Sequence, residues 1–163
     1  MRLLALCLLG QFMVAPAILA QQNDPPTAST DCTFADGTQI SLQYRTGKGE
    51  EPHNGKMWEP GGGPMVLFAQ TPLFLAGSSI PPGAYTVYTI PGKKEWTLII
   101  SRNVTAGSKY DPSQDMIHAP METGEIDKPQ KDLQVSYAHI APKTCSLRLY
   151  YQKVGAYADF NER

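Results

Sequence analysis

The stretch Ile80 to Ser101, IPPGAYTVYTIPGKKEWTLIIS, constrains the fold more than any other part of this chain. Pro81, Pro82 and Gly83 form an entry turn, since proline fixes φ and glycine permits positive φ. Ala84 to Ile90 is dense in β-branched and aromatic residues, which suit a pleated surface. Pro91 and Gly92 stop that strand, and Lys93, Lys94 and Glu95 keep the loop in water. Trp96 to Ser101 returns as the partner strand. Tyr85, Val87 and Thr89 share one face, and Thr86, Tyr88 and Ile90 share the other. Both faces carry bulk, so this hairpin belongs inside a sheet that is covered on at least one side.

The rest of the chain follows the same two-residue period. Ile40, Leu42 and Tyr44 alternate with polar residues in Thr38 to Arg45. Met65 to Gln70 and Leu73 to Ala76 are short apolar strands, the second ended by Gly77-Ser78-Ser79. Met116 to Met121 reads as a short edge strand limited by Pro120, and Thr123 to Lys131 as a charged connection. Leu133, Val135 and Tyr137 form one alternating run, with His139 continuing its inward face. Cys145, Leu147, Leu149 and Tyr151 form another, and Val154, Ala156, Ala158 and Phe160 face inward from a last strand. No segment after the N-terminal apolar run keeps a 3.6-residue period. The 14 glycines and 14 prolines are scattered, as in a chain of short strands joined by turns. The expected fold is all-β: an antiparallel β-sandwich or flattened barrel of about eight strands.

Residues 1–20 have the layout of a secretory signal. Arg2 is followed by an apolar run, Leu3 to Ala15, too short to span a bilayer, with small residues for cleavage after Ala17 or Ala20. Residues 21–31 are polar and hold Pro25 and Pro26, which reads as a disordered tail before a single domain over 32–163. Cleavage would remove Cys7 and leave Cys32 and Cys145, and an even pair in an oxidising compartment favours a disulfide. The expected location is secreted or periplasmic, with no stable membrane insertion after cleavage. The net charge is −1 and no basic block exists, so nucleic acid is not an expected partner.

The residues from Trp58 through the Gly-rich loop, IPPGAYTVYTIPGKKEW, the distant Tyr110 and two C-terminal strands resemble the exported bacterial domain-of-unknown-function family 2911. The resemblance runs from about Cys32 to Phe160 and rests on the PPGAY…IPGKKEW core. It implies an all-β domain and brings no established activity. Family members carry W-R-x-G-A-N where this chain has Trp58-Glu59-Pro60-Gly61-Gly62-Gly63. The family arginine and asparagine positions therefore hold Glu59 and Gly63, and a second arginine position falls at His118.

Chemistry-bearing residues are sparse. His53, His118 and His139 lack any HxH or HExxH spacing, so no metal or other cofactor is expected. No nucleophile elbow is present, and Gly61-Gly62-Gly63 lacks the Lys-Ser/Thr and helix of a phosphate loop. Asn103-Val104-Thr105 fits the N-glycosylation pattern. Aromatic residues, Tyr150 and Tyr157 among them, either fill the core or form a platform for sugars or apolar ligands. The loop from Thr46 to Pro64 is the expected binding region, with Trp58 as its leading residue because no strand needs it there. Glu59, Tyr110 and His118 complete the candidate site. The expected role is a non-catalytic binding module for a small molecule, a glycan or an envelope protein. The alternatives are a metal-dependent hydrolase using His118 with the loop carboxylates Glu50 and Glu51, and an assembly protein acting through a sheet edge.

Overall fold

The computed structural model describes residues 26–47, 50–105 and 108–163. The expected signal segment and residues 21–25 of the expected tail lie outside the described residues. Nine strands form among the described residues: β1 (Thr27–Thr33), β2 (Gln39–Arg45), β3 (Met65–Ala69), β4 (Leu73–Leu75), β5 (Ser78–Ile80), β6 (Gly83–Ile90), β7 (Trp96–Ser101), β8 (Asp115–Ala141) and β9 (Thr144–Glu162). Every pair is antiparallel, and the spatial order is β1-β2-β3-β6-β7-β8-β9-β4-β5. Among the described residues the only helical pieces are 3-10 turns at Pro60–Gly62 and Pro112–Gln114.

The all-β expectation holds, but the two layers are not two separate sheets. One continuous ladder folds over on itself, and β8 is the reason. At about 3.3 Å per residue a straight strand of 27 residues would run to roughly 90 Å, far beyond a domain of this size. Its first part, to Met121, pairs with β7, and from Glu122 onward it pairs with β9. The register breaks between Glu125 and Gln130, and Gln152 opposite takes a left-handed φ of 51°, marking the bend. The inner faces then close on one core. Leu42, Leu67, Val87 and Leu98 come from one half, and Leu73, Leu133, Leu147 and Phe160 from the other. The free edge of β1 is tied to the tip of the β8–β9 hairpin. Cys32 and Cys145 form a disulfide, the Tyr137 N–H donates to Thr30 Oγ1 at 3.1 Å, and the Ala35 N–H donates to the Pro142 carbonyl at 3.0 Å.

Four local expectations change. Residues 27–31, read as disordered tail, belong to β1, which pairs with β2 over its whole length. Their polarity hid an alternation of small and β-branched residues, with Ala28 and Thr30 half-buried and Cys32 buried. Met116 to Met121 pairs with β7 alone and is a local edge, as expected, but it is not a separate short strand: Thr123 to Lys131, read as a connection, continues it as part of β8. Pro120 is tolerated because β9 begins to pair only at Glu122, leaving one side of β8 without a ladder there. Ser78 and Ser79 lie in β5, not in a turn. The turn is Ala76-Gly77, whose φ values of 48° and 80° give the two-residue primed hairpin. His139 is exposed, not inward.

Candidate functional site

The central hairpin β6–β7 is covered on both faces, as its composition requires. Tyr85 and Val87 point into the core. On the other face Thr86 and Tyr88 are buried at 4% and 2% exposure beneath the segment that links β7 to β8. Thr86 Oγ1 donates to the Asn103 carbonyl, and the Tyr110 ring meets the Tyr88 ring edge-on with centroids 5.0 Å apart. That segment ends in a short turn fixed by Asp111, whose Oδ1 accepts from the Ser113 N–H at 3.0 Å and from Ser113 Oγ at 2.7 Å. The turn delivers Asp115 to the start of β8.

Asp115 joins two of the expected site residues. Its Oδ2 accepts the Tyr110 hydroxyl at 2.5 Å and lies 2.9 Å from His118 Nε2. Residues three apart on a regular strand face opposite sides. Here the register shift between Ile100 and Ser101 inserts an extra residue, so Asp115 and His118 meet on the outer face. His118 is across from Ile99, which is across from Tyr88, so the cluster is one row of the sheet. The Asp115 side chain is 6% exposed, and its Oδ1 is buried without a partner among the described residues. Burial, then the bond to Asp115, pushes the Tyr110 hydroxyl up to about 12. Burial, then the charges of Glu59 and Asp115, also raises Tyr88.

Tyr88 is the wall shared with a cleft of about 390 Å³ on the same outer face. Arg45, Glu59, Val66, Thr86 and Val104 line it with Tyr88. The Gly-rich loop forms its rim, and this loop explains its own glycines. A Cβ at Gly61 would lie 1.9 Å from the Arg45 carbonyl oxygen, and Gly61 has a φ of 71°. At Gly63 a Cβ would come within 3.0 Å of the Arg45 side chain, whose Nη1 donates to the Gly62 carbonyl at 3.1 Å. The loop is thus pressed onto the end of β2, and only glycine permits the approach. Gly61→Ala should lower stability by about 2–3 kcal/mol, read by urea denaturation, through strain and displacement of the loop.

Trp58 does not line this cleft; it lines a neighbouring one in its own loop. It is 4% exposed and belongs to the core. Its N–H donates to the Thr89 carbonyl at 2.8 Å, its carbonyl accepts from Thr89 Oγ1 at 3.1 Å, and its Nε1 donates to the Glu50 carbonyl at 2.7 Å. Its ring packs edge-on against Trp96 with centroids 5.3 Å apart and lies 5.4 Å from Tyr151. The residue forms a single bridge to β6, a role with no sequence signature. The loop carboxylates do not gather on His118 either. Glu50 and Glu51 line that neighbouring cleft with His53, Lys56, Trp58 and Glu59, and Glu51 Oε1 accepts from Gln152 Nε2 at 3.0 Å. Among the described residues no three His, Cys, Asp or Glu side chains stand close enough to hold a metal ion. Of the four expected site residues, Glu59, Tyr110 and His118 therefore surround one row of the sheet. Arg45 and Thr86, which line the cleft, and Asp115, which lies in the row beside it, were not among the expected site residues.

A family model described as "Protein of unknown function (DUF2911)" matches residues 26–160. No curated protein and no solved structure matches the chain. No helix among the described residues is long and apolar enough to cross a membrane.

Proposed function

This chain belongs to the DUF2911 family, and from that premise we propose that it is an exported, non-catalytic module. Its ligand is a small molecule carrying a protonated amine, held in the outer-face cleft beside Tyr88. The observation that carries this reading is the Asp115 carboxylate. One oxygen takes both Tyr110 and His118, and the other is buried with no donor among the described residues. Leaving a buried acceptor unmatched costs about 1–3 kcal/mol, and more for a charged group. A donor supplied from outside the chain offsets that cost. Glu59 and Tyr88 line the cleft with Arg45, whose Nη1 is engaged by the Gly62 carbonyl, so a second carboxylate and an aromatic side chain are at hand for an ammonium group. Both positions at which the resemblance points to arginine, Glu59 and His118, belong to this neighbourhood, and replacing arginine by glutamate turns it toward cations. Export is supported by the pattern of residues 1–20 and by the Cys32–Cys145 disulfide.

A thermal-shift comparison tests the reading. Ethanolamine, putrescine and choline are added to wild type, with acetate, succinate and glucose as matched controls. At least one amine should raise Tm by a few degrees, as expected for roughly 1–2 kcal/mol of linkage. The shift should vanish in Asp115→Asn and shrink in Glu59→Gln. Stabilisation by the acids alone, or amine shifts equal in wild type and both variants, would refute it.

A further inference from the structure

The outer face of the other half of the sheet holds a second concavity, a groove of about 380 Å³ along the β8–β9 hairpin. Its floor is unusual for a strand pair, because Gly124 and Gly155 stand directly opposite each other. Neither takes a left-handed φ, so no backbone conformation requires glycine at either position. A Cβ at Gly155 would crowd Ile126 and Tyr150 at 3.2–3.3 Å, but one at Gly124 would meet nothing within 4 Å, so packing does not require glycine at Gly124. Glycine inside a strand weakens it and often marks close approach by a ligand or another backbone. The floor is flanked by Tyr150 on one side and Tyr157 on the other.

We propose that this groove binds a neutral oligosaccharide, with sugar rings stacked on Tyr157 and Tyr150 and hydroxyls held by Arg148 and Asp159. Four large apolar side chains are exposed among the described residues, and two of them, Tyr157 at 39% and Ile140 at 49%, line this groove. A groove of this volume falls in the range of small-ligand sites. The Tyr157 ring is held in place by its hydroxyl, which donates to Glu122 Oε2 at 2.5 Å, so its face is set before any ligand arrives. Arg148 and Asp159 form no ion pair among the described residues, although both act electrostatically on the Tyr157 hydroxyl. A donor and an acceptor on one rim suit vicinal hydroxyls, which both give and accept hydrogen bonds. Glu125 and Asp159 against Arg148 leave the lining slightly negative, which disfavours acidic sugars and nucleotides. The open floor at Gly124 admits a flat ring that a side chain there would displace.

The test uses saturation-transfer NMR and calorimetry on the full chain with maltotriose, cellotriose and the N-acetylglucosamine trimer. At least one trisaccharide should bind, and Tyr157→Ala should weaken it about tenfold, the size expected for loss of one stacking ring. Gly124→Val is the sharper variant. A β-branched residue at an ordinary strand φ with free space should leave Tm unchanged or raised, yet it fills the floor and should abolish binding. Failure of all three sugars to bind overturns the proposal. So does equal sugar affinity in wild type, Tyr157→Ala and Gly124→Val. Amine binding at the cleft beside Tyr88 is unaffected by either variant, so the two sites fail or succeed separately.

Discussion

Replacing both Cys32 and Cys145 by alanine should remove about 4–5 kcal/mol of stability, the largest single effect expected anywhere in this fold. The two residues are 113 apart in sequence, so the bond closes most of the domain into a loop. In the chain-entropy account a loop of roughly that length gains close to the upper end of the usual range. Position adds to length. Cys32 belongs to β1, the first strand in the spatial order, and Cys145 opens β9, the seventh. The bond therefore holds the folded-over sheet shut at its open side, where only a few hydrogen bonds from Thr30, Tyr137 and Ala35 assist. Domains of this size are stable by roughly 5–15 kcal/mol, so the loss is a large fraction of the total. Urea denaturation with and without reductant measures it. Reduced wild type and the double-alanine variant should unfold at nearly the same low midpoint. A midpoint in the variant close to that of oxidised wild type would show that the core alone keeps the halves together.

Trp58→Ala should cost about 3–5 kcal/mol, the usual penalty for deleting a large buried aromatic. The side chain fills the space between Trp96 and Tyr151, and its backbone pairs with Thr89 inside the central hairpin. Thr89 is fully buried and relies on the Trp58 carbonyl for its hydroxyl proton. Displacing the segment would leave that group unmatched as well as opening a cavity. Trp58→Phe should recover part of the loss, because it keeps the aromatic contact and gives up only the bond from Nε1 to the Glu50 carbonyl. Equilibrium unfolding followed by circular dichroism checks both. If Trp58→Ala left stability within about 0.5 kcal/mol of wild type, as for a surface position, the residue would be free for ligand binding instead.

These two residues mark what is and is not legible in the sequence. The disulfide follows from counting cysteines once the signal segment is set aside. The hairpin from Ile80 to Ser101 is written in its β-branched residues and its Pro-Gly stops, and both of its strands form with almost the expected limits. Alternation also locates β2, a short apolar run locates β3, and β9 reads as two strands that the structure joins into one from Thr144 to Glu162. Length and continuity are less visible. β8 reads as three pieces because Pro120 and the charged stretch after Thr123 look like interruptions, yet the ladder simply changes partner there. β1 escapes because Ser, Thr and Asp are common in disordered tails, while the pairing that orders them comes from β2. Trp58 escapes because a single bridge to a distant strand has no local pattern. Asp115 is visible as a titratable residue, but its alignment with His118 depends on a bulge that no spacing rule announces. The glycines at 61 and 63 read as looseness, whereas they permit tight packing on Arg45.

In the proposed complex the cleft beside Tyr88 receives an amine donated toward Asp115. A ¹H–¹⁵N NMR titration of the full chain with the most stabilising amine tests it most directly. Shifts should concentrate at Glu59, Thr86, Tyr88, Asp115 and His118, and the same titration on Asp115→Asn should leave those signals in place. Shifts confined to Glu50, Glu51 and His53, or shifts at the Tyr88 row that persist in Asp115→Asn, would contradict the account.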